Sequence, residues 1–141
     1  MTFEDARAYD RLHGRGRTRK RHDPLRLKDG SPSELQHHIW LAEALSAAGI
    51  WFLHVPNEGK RDPRYVKAMG VCAGWPDFTL LDVPPGVSWA MAGEELKAGK
   101  NKPTRAQLEQ IATFHARGLP AAWDVGWEAA LVRIRGWGYA L

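Results

Sequence analysis

Apolar residues in this chain fall into short runs of two different periods, and the alternation of those periods outlines a fold. Leu35, Ile39, Ala42 and Leu45 recur at helical spacing, and Gly49 ends the run. Ser31-Pro32-Ser33-Glu34 stands before it in the order of a capping box, with Ser31 at the cap, Pro32 at the first helical position and Glu34 at the third. The run 51–55 (Trp51, Phe52, Leu53, His54, Val55) then reads as a buried strand that Pro56 stops. Residues 57–63 form a polar loop, and a short helix over 64–69 closes at Gly70. A second strand over 78–81, a turn at Val83-Pro84-Pro85-Gly86 and a third strand over 89–97 make a hairpin. Thr104 caps a long helix carrying Leu108, Ile111, Ala112 and Phe114; Gly118-Leu119-Pro120 breaks it. Residues 121–125 give a fourth strand, and Trp127, Ala130, Leu131 and Ile134 mark a last helix. No internal repeat is present. Helices interleaved with a hairpin predict an α/β fold, a mixed central sheet of about four strands flanked by α-helices.

Charge divides this picture in two. Of the 141 residues, the first 30 hold nine Lys/Arg and five Asp/Glu, while the other 111 hold eleven of each. The net charge of +4 therefore belongs to the first stretch, centred on Arg15-Gly16-Arg17-Thr18-Arg19-Lys20-Arg21. Residues 1–30 are expected to be a basic arm without a fold of its own, and residues 31–141 a single domain. An arm of this kind attracts polyanions, so Arg17, Arg19, Lys20 and Arg21 are candidate phosphate contacts; a merely solvated arm is the competing reading. Lys100 and Lys102, in a basic loop after the third strand, are further candidates.

One cysteine, Cys72, excludes internal disulfides and a cysteine-built zinc site. No apolar stretch approaches the roughly 18 residues that span a bilayer, and the first residues lack the apolar centre of a signal peptide. A soluble, cytoplasmic protein with no membrane partner is expected.

The candidate chemistry lies at the hairpin. Asp77 follows Pro76 where the chain enters the second strand, and Glu95 and Lys97, two apart on the third, share a face. Separately these are a turn carboxylate and an ion pair at a strand end. Together, the 83–88 turn can bring Asp77 and Glu95 to the same end of the hairpin. Two such carboxylates repel, and a divalent cation removes the repulsion. Glu94 points to the opposite face unless Gly93 makes a bulge. His37 and His38 read more readily as surface residues than as ligands, since hard magnesium prefers oxygen. Trp51, Trp89 and Trp127 fall at core positions, whereas Trp40 and Trp137 could serve a subunit interface.

Asp77 with Glu95-Leu96-Lys97 resembles the signature of the PD-(D/E)XK nuclease superfamily. Adding Glu34, His54-Val55-Pro56-Asn57-Glu58-Gly59, Gly74-Trp75-Pro76 and Gln107, the ordered set over residues 33–134 resembles a VRR-NUC domain, the virus-type replication-repair nuclease. The resemblance implies a restriction-endonuclease-like fold and Mg²⁺ or Mn²⁺ bound by Asp77, Glu95 and the Leu96 carbonyl, with Glu34 reaching the metal from the first helix. It implies that Lys97 orients the attacking water, that Gln107 sits near the scissile phosphate, and that the product carries a 5′-phosphate. Capping explains Glu34 and Gln107 equally well, each being third in a capping-box pattern. Asn57 is either a substrate contact or a turn residue. Small single-domain proteins of this kind resemble phage proteins that dimerise and act on branched DNA such as four-way junctions, so DNA and a second copy are the implied partners, in a host cytoplasm were the chain viral. A non-catalytic module holding structured DNA is the alternative, and RNA as substrate stays open.

Overall fold

The computed structural model describes residues 23–55, 64, 68–70 and 72–141. Arg17, Arg19, Lys20, Arg21 and Asn57 lie outside the described residues, as do most of the expected polar loop and short helix. The described elements are α1 (Glu34–Ala47), β1 (Phe52–His54), β2 (Phe78–Leu80), β3 (Ala92–Lys97), α2 (Arg105–Ala116), β4 (Ala121–Val125) and α3 (Trp127–Gly136). The four strands form one mixed sheet in the order β1-β2-β3-β4. The first two pairings are antiparallel and β3 to β4 is parallel, with α2 as the crossover that a parallel pair needs. The expected α/β architecture is the observed one.

Helices cover both sheet faces. On one, Leu41 and Leu45 of α1 and Ala130 and Ile134 of α3 pack against Phe78, Leu80, Ala92 and Leu96. On the other, Ile111 and Phe114 of α2 gather Ala121, with Trp75 and Trp123 alongside. Gly93 allows α2 to sit this close, because a Cβ there would meet Phe114 Cε1 and Pro76 Cγ, both at 2.9 Å. The hairpin register pairs Phe78 with Glu94, Thr79 with Gly93 and Leu80 with Ala92, so Gly93 makes no bulge and Glu94 and Glu95 face opposite sides.

Three local expectations need correction. The α1 cap is Ser33, not Ser31: Ser33 Oγ accepts from the Gln36 amide at 3.3 Å and donates to the Pro24 carbonyl at 2.7 Å. Ser31 is engaged instead by Asp29, whose Oδ1 accepts from the Ser31 amide at 2.9 Å, and Pro32 bridges to Arg26 before the helix begins. Glu34 is thus the first helical residue and completes no capping box. Second, Leu35 and Ile39 are 38% and 37% exposed; the inward face of α1 keeps the expected Ala42 and Leu45 and is completed by His38 and Leu41. Third, among the described residues β1 is an edge strand paired only with β2, so alternation turns Leu53 outward (53% exposed), and Trp51, just before it, is 67% exposed rather than core. Trp89, Trp127 and Trp137 pack partly against the main core, and Trp40 lies 6.0 Å from the Trp127 ring.

Candidate active site

The site is built where β2 begins and β3 ends. Because Phe78 faces Glu94 in an antiparallel pair, Asp77, one residue earlier, comes beside Glu95 and Leu96. The Leu96 amide donates to Asp77 Oδ2 at 2.9 Å, which ties the aspartate to the neighbouring strand. Lys97 Nζ donates to Glu95 Oε1 at 2.6 Å and stands 3.7 Å from Glu34 Oε1. All three residues of the pair and its lysine are buried. The structure thus brings Glu34, Asp77, Glu95, Leu96 and Lys97 to one place.

Gln107 belongs to the same cluster through both ends of its amide. It is the third residue of α2, and its Oε1 accepts from the Thr104 amide at 2.7 Å while its own amide donates to Thr104 Oγ1, a complete capping box. Its Nε2 donates to Glu95 Oε1. Capping and site contact are therefore not competitors here, since one side chain makes both. The preceding loop sets the position of α2: Gly74, at φ +76°, lies so close that an added Cβ would fall 2.3 Å from the Ala106 carbonyl carbon and 2.5 Å from the Gln107 nitrogen. Trp75 fastens the same loop, donating from Nε1 to Thr79 Oγ1 at 2.8 Å and meeting the Phe114 ring edge-on. The Gly74-Trp75-Pro76-Asp77 stretch acts as a spacer between α2 and the carboxylates.

His38 is the residue that sequence reasoning set aside. Four residues after Glu34, it lies on the same face of α1, and its Nε2 is 3.2 Å from Asp77 Oδ2. Ligand atoms of Glu34, His38 and Asp77 all lie within 4.8 Å of one another. The Glu34-to-His38 spacing of four was the available signal, discounted because hard magnesium prefers oxygen to imidazole. Lys100 and Lys102 are exposed in the loop that follows Lys97.

Electrostatics couple the group. Burial, then the negative charge of Asp77, pushes the Glu95 carboxyl up to about 7, against the opposing pull of Lys97. Burial also works to raise Asp77, but His38, the Leu96 amide and Lys97 outweigh it and leave its pKa below the usual value. Burial depresses the Lys97 ammonium less than Glu95, Glu34 and Asp77 together raise it, so the lysine stays charged. On the other sheet face, burial and the neighbouring Asp124 carboxylate push Glu94 well above the usual carboxylate range.

No family model matches the sequence, and no curated protein does. Among solved structures, the chain is similar to one named "VRR_NUC domain protein", at 22% identity over 74% of this chain and 87% of that one, with a TM-score of 0.60. A second, named "VRR_NUC domain", is 23% identical over 72% of this chain and 94% of its own, with a TM-score of 0.49. The first of these shows a shared fold, and its name is that of the domain the sequence motifs resemble. Among the described residues no helix is long and apolar enough to cross a membrane.

Proposed function

We propose that this chain is a divalent-metal-dependent nuclease that hydrolyses DNA phosphodiester bonds internally. The observation that carries the reading is the meeting of Asp77 and Glu95 at one end of the β2–β3 hairpin, with Lys97 Nζ 2.6 Å from Glu95 Oε1 and 3.7 Å from Glu34. The fold shared with a VRR_NUC domain protein supports it. The donor set suits Mg²⁺ or Mn²⁺: carboxylates of Asp77, Glu95 and Glu34, with the Leu96 carbonyl as a further oxygen. Glu95 Oε2 and His38 Nε2 are buried with no hydrogen-bond partner among the described residues, a polar demand that a cation would meet. When bound, such an ion supplies Lewis acidity at the phosphate.

The chain's own residues do the rest. Lys97, held charged by three carboxylates, donates to the oxygen of the attacking water and offsets charge growing on the phosphate. Gln107 Nε2 and Lys97 Nζ both donate to Glu95 Oε1, leaving Oε2 for other work. Exposed Lys100 and Lys102, just beyond the site, engage backbone phosphates, as do Arg17, Arg19, Lys20 and Arg21, with Asn57 as a further contact. Branched DNA such as a four-way junction is the proposed substrate and a homodimer the proposed assembly, both on the resemblance to small phage nucleases.

Incubation of the pure protein with linear, flap and junction DNA, with Mg²⁺, Mn²⁺ or EDTA, tests this reading. Metal-dependent cutting with preference for the junction is expected. Junction binding without any cutting would replace the enzyme with a binding module.

A further inference from the structure

The imidazole at the edge of this cluster is held in a way the carboxylates do not explain. His38 is largely buried, its side chain 13% exposed, and Nε2 makes no hydrogen bond although it faces Asp77 Oδ2 at 3.2 Å. Its other nitrogen, Nδ1, is 3.2 Å from His54 Nε2 on β1. The His54 ring in turn stacks on Phe78 (centroids 4.8 Å apart, planes at 25°), and His38 meets both rings edge-on. Two aromatic contacts and one ring-to-ring hydrogen bond therefore fix the imidazole with Nε2 directed at the Asp77 carboxylate.

Neutral rings in this contact have two tautomeric assignments. In one, His54 donates and His38 carries its proton on Nε2. In the other, His38 Nδ1–H donates to His54, and Nε2 turns a lone pair toward Glu34 and Asp77. The second is the arrangement of a metal-ligating histidine, whose remote N–H is held by an outer acceptor that sets tautomer and ring orientation.

We propose that His38 Nε2 is a nitrogen ligand of the cation bound by Glu34 and Asp77, that His54 is its positioning residue, and that this imidazole makes the centre prefer a first-row transition-metal dication over Mg²⁺. Magnesium takes oxygen donors in near-ideal octahedra and sheds water reluctantly. An imidazole costs it a favourable ligand, whereas manganese and its heavier neighbours accept nitrogen alongside carboxylate. The proposal rests on the nuclease reading only for the presence of a divalent cation.

Mn²⁺ is the probe, because its electron spin reports coordinated nitrogen directly. Full-length protein loaded with Mn²⁺ is expected to show ¹⁴N modulation in pulsed EPR that His38→Ala removes. By calorimetry, His38→Ala is expected to weaken Mn²⁺ about 10–100-fold while moving Mg²⁺ by less than about threefold, and His54→Phe to weaken Mn²⁺ by roughly tenfold with the nitrogen signal retained. Bound Mn²⁺ without nitrogen modulation in the unaltered protein would overturn the proposal and leave the carboxylate site standing, and no folded variant is needed to see it. A nitrogen signal that persists in His38→Ala would also overturn it. Failure of the unaltered protein to bind either ion would remove the nuclease reading itself.

Discussion

The backbone amide of Leu96 donates to Asp77 Oδ2 at 2.9 Å, so the first carboxylate of the site is held by the strand that carries the second. The distance between Asp77 and Glu95 is thereby a property of hairpin register. A slip of one residue would turn Glu95 to the Glu94 face and bury it in the main core. The continuous pairing from Phe78–Glu94 to Leu80–Ala92 prevents that slip.

Burial of Glu95, and after it the closeness of Asp77, leaves a mark on stability. Glu95 is raised from 4.5 to about 7 and Glu94 is raised as well. An acid that holds its proton more tightly folded than unfolded favours the fold fully below the unfolded pKa, and that contribution is lost as pH rises through the folded value. Asp77, lowered from 3.8, acts oppositely and only in stronger acid. Metal-free protein in EDTA should therefore lose on the order of 3 kcal/mol from Glu95 between pH 4.5 and somewhat above 7. Thermal unfolding across that range checks it, and Glu95→Gln should flatten the slope. An unaltered protein equally stable at pH 5 and pH 8 would contradict the raised Glu95 carboxyl.

Glu34→Gln separates site from helix. Glu34 is the first residue of α1 and Ser33 holds the cap, so loss of its charge removes a favourable helix-dipole term of about 0.3–1 kcal/mol and the half-exposed ion pair with Lys97, without touching the cap. As one of the proposed carboxylate donors, Glu34 should cost at least as much as an outer partner of a metal centre does, so cleavage should fall at least about tenfold. Unchanged turnover would make Glu34 a helix-end acid and nothing more.

Thr104→Ala and Gln107→Leu divide the two tasks of one amide. Thr104→Ala removes the cap and should cost about 1 kcal/mol, with cleavage nearly unchanged well below the melting temperature. Gln107→Leu keeps the Thr104 side-chain cap but loses the return half of the capping box together with the Glu95 contact, and should slow cleavage about 10–100-fold. Equal activities for the two folded variants would show that Gln107 only caps.

Gly74→Ala should be worse than either. Positive φ costs a side chain about 1–2 kcal/mol, and the new methyl would meet the α2 backbone rather than a flexible side chain, adding roughly 1–3 kcal/mol of overpacking. Chemical denaturation measures the sum. A loss below about 1 kcal/mol would mean that α2 can withdraw freely.

Much of this was legible in the sequence because period and punctuation agree there. The β4 strand and the Thr104 cap are observed where turn residues and apolar spacing put them. Less of α1 was legible. Its buried stripe includes His38, a polar residue that no hydropathy count assigns inward, and its cap was chosen between two serines by a Pro32 that a bridge to Arg26 keeps outside the helix. The strand at 52–54 looked buried from composition, but edge or centre is decided by which strands pair, a non-local fact. The same limit hid the dual use of Gln107, because Glu95 is twelve residues away in sequence.

The central claim is that Asp77 and Glu95 together make a cation site that cuts DNA. Its most direct test is junction-DNA cleavage by unaltered protein, Asp77→Asn and Glu95→Gln in Mg²⁺, in Mn²⁺ and in EDTA, with DNA binding followed in parallel. Each substitution removes one charge and almost no volume, so fold and binding should survive. Cleavage should occur only with metal and only in the unaltered protein, falling by more than about a hundredfold in either variant. Cutting in EDTA, or near-unaltered rates in either variant with metal present, would contradict the account.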